Sequence, residues 1–137
     1  MRVRIASVVT NLKEKGKIVK MATSLLIYHL LFYQVMDEHN IVRKQHNLEF
    51  FNLDEQLMRE ADNHAKWMAR NESMTHSTVR SGGENVAKGV MRPEAVTRLW
   101  MDSPGHRRNI LDRRFTKIGA AVYKSKSGNY YWCVRFR

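Results

Sequence analysis

Two histidines and a glutamate carry the chemistry available to this chain: His76 in "MTHS", Glu84 in "GGEN" and His106 in "DSPGHRRNIL". Two imidazoles and a carboxylate make a reasonable divalent-metal set, with zinc the usual occupant of nitrogen and oxygen donors. His106 falls in the first turn of an expected helix: Asp102 or Ser103 ends one helix and caps the next, Pro104 suits the first helical position, and Gly105 permits a sharp approach. Free N–H groups and the positive helix end disfavour an imidazolium there, and a neutral imidazole binds a metal or accepts a proton. Sequence separations of 8 and 22 residues are not a compact motif, so hydrogen bonds that merely stabilise loops compete with a ligand role.

The donor count bears on catalysis. A catalytic zinc site usually has three protein ligands and a separate base, whereas His76, His106 and Glu84 would have to fill both duties. That shortage favours binding over a metal-assisted hydrolase in which Glu84 is the general base. Ser77 beside His76 lacks an orienting third group for nucleophilic work. Asp102 is a fourth metal candidate only if its side chain turns towards the histidines instead of capping a helix.

The elements that must position these residues follow from periodicity. "YQVMDEHNIVRKQH" reads as a helix. In "NLDEQLMREADNHAKWMARN", capped by Asn52 or Asp54, the residues Leu57, Met58, Ala61, Ala65, Met68 and Ala69 recur at helical steps, with His64 on or near that face as a structural histidine. "ENVAKGV" reads as a short strand after a Gly82-Gly83 loop. "PEAVTRLWMD" is a short helix with Ala95, Val96, Leu99 and Trp100 inward. "FTKIGAAVYKS" and "NYYWCVRFR", joined through Ser127-Gly128-Asn129, form an antiparallel hairpin. Trp67, Trp100 and Trp132 are assigned to the core.

A chain of 137 residues with 43% hydrophobic content holds one domain with one core. It carries 24 Lys and Arg against 13 Asp and Glu, a basic balance suited to an anionic envelope, lipid or nucleic acid. The pairs Arg107-Arg108 and Arg113-Arg114 lack interleaved aromatics or a recognition-helix pattern, so no specific nucleic acid is expected. The single cysteine, Cys133, excludes an internal disulfide and CxxC metal chemistry and reads as a small buried hydrophobe. Residues 1–32 imitate a signal peptide, basic and then apolar, without a small-x-small cleavage site. The apolar pattern runs on through Leu30, Leu31, Val35, Met36 and Ile41 as one helix would, so an uncleaved extension and a secretion or anchor signal both stand.

Several motifs occur in a shared order: "HN..R" at His39, Asn40 and Arg43, the "L...A..HA..MA" helix, "MTHS", "GENVAKG", "AV..LW", "SPGHRRNIL" and "FTKIGAAVY" followed by "YYWCVRF". In these the sequence resembles the CAP superfamily, the cysteine-rich secretory, antigen 5 and pathogenesis-related proteins, in its short bacterial or phage-like form, over residues 33–137. The resemblance implies an α+β fold, a compact α-β-α sandwich with a small antiparallel sheet between helical layers, following a 1–32 extension. It implies a cleft in which His76, Glu84 and His106 match the family's two histidines and "GEN" glutamate, with zinc or another divalent cation held in some members. Many eukaryotic members carry a second glutamate where this chain has Ser103, with Asp102 beside it. The expected function is a monomeric, non-enzymatic, secreted or envelope-associated module whose cleft binds a divalent metal and whose neighbouring groove takes a lipid, glycan or protein. The alternative is a protease-like metal-assisted hydrolase using His76, His106 and Glu84.

Overall fold

The structure is a computed structural model that describes residues 2–137, with side chains in the first helix described from residue 13 onward. Helix α1 runs unbroken over Arg2–Gln45, followed by β1 (Asn52–Leu53), α2 (Glu55–Asn71), β2 (Gly83–Lys88), α3 (Pro93–Asp102), α4 (Pro104–Leu111), β3 (Lys117–Lys124) and β4 (Tyr130–Phe136). The expected 33–46 helix is thus the C-terminal part of a much longer one. α1 also contains a segment long and apolar enough to cross a membrane.

The sheet has strand order β1-β3-β4-β2. β2, β3 and β4 are antiparallel as expected, and the two-residue β1 adds a short parallel edge to β3. Strand alternation sends successive side chains to opposite faces, and this divides the core in two. Ile118, Ala120, Val122, Trp132, Val134 and Phe136 pack with Leu31, Phe32 and Val35 of α1, Val96 and Trp100 of α3 and Ile110 of α4. Val86, Ala121, Tyr131 and Cys133 face Ala61, Ala65, Met68 and Ala69 of α2. The result is an α-β-α sandwich. At Gly119 the backbone of α2 presses on β3 so closely that a Cβ would run into Leu57 and Met58.

Helix ends follow their sequence cues with two corrections. Asp54, not Asn52, caps α2, its carboxylate accepting from the Leu57 N–H at 2.9 Å; Asn52 belongs to β1. Between α3 and α4 the cap is Ser103, but neither its side chain nor that of Asp102 makes a capping bond. Two inward assignments also change. Leu99 is 51% exposed and Thr97 is buried in α3 beside Val96, because the helix packs along its 93, 96, 97 and 100 positions. Trp67 is 48% exposed: it lies outside the Leu57, Ala61, Ala65, Met68 stripe that meets the sheet.

The "HN..R" residues tie α1 to the rest. Arg43 is buried and donates to the carbonyls of Glu49, Ile110, Asp112 and Phe115, with its guanidinium 3.9 Å from the Phe51 ring centre. Asn40 exchanges two bonds with the Phe51 backbone. His39 is fully buried beside Trp100 and Phe136; its Nδ1 bonds the Val35 carbonyl at 2.7 Å and its Nε2 has no partner. Burial lowers the His39 pKa from 6.5 to about 4, outweighing the bond to Val35.

A pH dependence follows from His39. Above pH 6.5 the ring is neutral folded and unfolded; as pH falls from 6.5 towards about 4 the unfolded chain takes up a proton that the folded one refuses. Stability therefore drops across that window, by about 3 kcal/mol at its acid end. Urea unfolding at pH 7 and near pH 4 should show this loss, and His39→Asn should remove most of it. Equal pH slopes in the two proteins would refute the assignment.

Candidate functional site

Glu84 is placed by register. It lies opposite Arg135 in the β2–β4 pair and shares the α2-facing side of the sheet with Cys133 and Arg135, by the alternation of both strands. Its side chain is only 7% exposed. One carboxylate oxygen accepts from His76 Nδ1 at 2.8 Å and from the Ser77 backbone N–H at 2.9 Å. The other accepts from Arg135 at 3.3 Å and from the Cys133 thiol at 3.9 Å. Burial alone would raise the Glu84 pKa, but the bonds from Ser77 and His76 overcome it and hold the carboxyl below its ordinary value.

His76 is therefore brought to Glu84, with its ring largely open to solvent at 61% exposure. The bond at Nδ1 fixes the tautomer and leaves Nε2 outward, as in histidines whose second nitrogen ligates a metal. His106 sits in the first turn of α4, and its carbonyl accepts from the buried Asn85 side chain at 3.1 Å. Asn109 completes this support by donating to the Glu84 carbonyl and the Asn85 side-chain oxygen. The His106 pKa is lowered by desolvation and by the positive charge His76 would carry, so a neutral ring is favoured by burial and a neighbouring imidazole as well as by its place in α4.

Asp102 stands apart. It is exposed in the last turn of α3, and among the described residues no hydrogen bond or ion pair joins it to His76, Glu84 or His106. Nor do three His, Cys, Asp or Glu side chains among the described residues gather closely enough to form a ready-made ion cage. Glu84, with both oxygens engaged, suits the task of orienting His76 better than direct ligation. The Ser77 hydroxyl beside it is buried and, among the described residues, makes no hydrogen bond.

Two features of the site were not anticipated from sequence. Arg135, 2% exposed, holds Glu84 and Glu60 at 3.3 Å each and donates to the Ser81 carbonyl at 2.6 Å, bracing the loop that carries His76. The groove beside His76, about 440 Å³, is lined by Glu60, His64, Trp67, Thr75 and Val79 among others. There the His64 and Trp67 rings stack at 6.0 Å, only 7° from parallel, and the His64 Nε2–H donates to the Thr75 carbonyl at 2.7 Å. The exposed Trp67 is thus a wall of a groove. The odd-position alternation of Cys133 and Arg135 could put Arg135 on one face of its strand but not name its partner; nothing in a helical stripe marks the groove.

The family model of the cysteine-rich secretory proteins, CAP, matches residues 36–136. The uncharacterized protein YkwD of Bacillus subtilis is 46% identical over 57 residues, which cover 42% of this chain and 21% of that protein. The chain thus spans about a fifth of that relative's length. Among solved structures, an extracellular protein containing a SCP domain from Bacillus anthracis superposes with a TM-score of 0.67 at 28% identity, over 80% of this chain and 41% of that one. An outer surface protein from Borrelia burgdorferi superposes with a TM-score of 0.65 at 23% identity, over 74% of this chain and 86% of that one.

Proposed function

This chain belongs to the CAP, or cysteine-rich secretory protein, family, and we propose that it is a non-enzymatic, envelope-facing binding module with a divalent-cation site at His76 and His106. The observation that carries this reading is the Glu84–His76 bond at 2.8 Å. It orients one imidazole, while burial lowers the pKa of the other. A cation there would supply a positive anchor for an anionic or polar ligand group. The stacked His64–Trp67 wall and Thr75 offer the adjoining surface for the rest of that ligand, a lipid, glycan or peptide. Zinc is the natural probe for two nitrogen donors.

Hydrolysis is the weaker reading for a reason internal to Glu84. A general base needs a free oxygen and a pKa near the working pH, and here both oxygens are engaged and the pKa is lowered.

Calorimetric titration of the full chain with zinc tests the proposal. We expect one-to-one binding, lost in His76→Ala and in His106→Ala and weakened by roughly 10-fold or more in Glu84→Gln, which leaves a poorer orienting partner. A folded wild type that binds no zinc would reduce both histidines to structural residues.

A further inference from the structure

We infer that α1 is retained and lies in the plane of an anionic lipid bilayer, seating the CAP domain on it through the outward face of residues 18–33. The inference rests on the two sides of one helix and is independent of the cleft. At about 3.6 residues per turn, Leu31, Phe32, Val35, His39 and Arg43 share a face, and all five are buried in the domain. Val19, Leu26, Leu30 and Tyr33 lie on the opposite face and are 63%, 76%, 58% and 42% exposed. No acidic or basic residue occurs from Met21 to Met36 apart from His29. Lys13, Lys17 and Lys20 are exposed on the side away from that apolar face, Lys15 on its side one turn before it, and Ile18, Met21 and Leu25 add exposed apolar surface at its flank. An apolar face with lysines behind it is the arrangement of a helix at a membrane interface, its cations meeting anionic headgroups.

Retention follows from packing. A cut after the apolar run would remove Leu31 and Phe32 from the domain core. The same packing argues against crossing the bilayer, although the composition permits it. A span needs roughly 20 apolar residues. To supply them, either Lys17 and Lys20 would have to enter the hydrocarbon or Leu31, Phe32 and Val35 would have to leave the core. From Leu25 to Phe32 the helix also borders Arg59, Asp62 and Lys66, which would be dragged into lipid with it. Lying in the plane avoids both penalties and immerses only the outward face.

Vesicle flotation of the full chain decides the matter, using phosphatidylcholine vesicles with and without one third phosphatidylglycerol. The wild type should float with the anionic vesicles and much less with the neutral ones, and an alkaline carbonate wash should release it. Leu26→Glu with Leu30→Glu should reduce the bound fraction by about tenfold or more. Both sites are exposed, so near-ultraviolet circular dichroism and the urea midpoint should be unchanged. Three outcomes would overturn the inference: no flotation by a wild type that sediments as a dimer, which would make a second copy the cover; retention after the carbonate wash, which would mean a span; or equal flotation by the double variant.

Discussion

Trp100→Ala should abolish cooperative folding, and with it every property of the cleft. The side chain is 1% exposed between α1, α3 and the sheet, against the buried His39 ring at 5.6 Å. Its indole N–H donates to the Val86 carbonyl at 3.0 Å, so it pins α3 to the strand that carries Glu84. Truncating such a tryptophan costs about 3–5 kcal/mol through lost transfer energy and the cavity left behind. Small domains have only about 5–15 kcal/mol in total. The Val86 carbonyl would also lose a donor inside the core. Near-ultraviolet circular dichroism should collapse and the urea midpoint fall steeply, while Trp100→Phe, which keeps the ring and loses one hydrogen bond, should stay folded. A well-folded Trp100→Ala protein lacking ligand binding alone would show instead that this tryptophan serves the site and not the core.

The contrast between Trp100 and Trp67 shows what sequence can convey. Both occur in amphipathic helices, and α2, α3, α4 and the β3–β4 hairpin were all legible from their periodicity and turn residues. Burial of an individual aromatic at the margin of a stripe was not, because it depends on how wide a neighbour the helix meets: α2 meets the sheet along Leu57, Ala61, Ala65 and Met68, and Trp67 falls just outside. β1 is two residues long, shorter than any alternation can reveal. The continuity of α1 was half legible. Its apolar run was plain, but its outward and inward faces use the same residue types, and only the packed domain separates them. In the candidate site, His76, Glu84 and His106 were named by type and motif, and the first two are joined by a 2.8 Å hydrogen bond. Their support was not so named, since Arg135 becomes Glu84's partner only through the β2–β4 register, which no local pattern encodes.

That register makes Arg135→Met the most informative change in the site. Arg135 is a cation buried to 2% exposure, balanced by Glu84 at 7% and Glu60 at 17%. Its apolar replacement fits the volume but leaves Glu84 with a charge in a dry place and one oxygen without its cation. Breaking a buried pair on one side typically costs about 3–5 kcal/mol, because the remaining charge is uncompensated. The Glu84 carboxyl should also titrate at higher pH, because a positive charge 3.3 Å from it has gone while it stays buried. With the Ser81 carbonyl released as well, the loop bearing His76 loses its brace, and zinc affinity should fall even though no ligand has been altered. The second change that separates charge from shape is Glu84→Gln added to Arg135→Met: removing the stranded carboxylate should restore a substantial part of the lost stability while leaving zinc binding weak. Urea unfolding and calorimetry on the two variants measure both effects. If the single variant were as stable as the wild type, or the double variant no more stable than the single, Arg135 would be a space-filling residue, and the positioning of His76 would have to be credited to the Ser77 backbone bond alone.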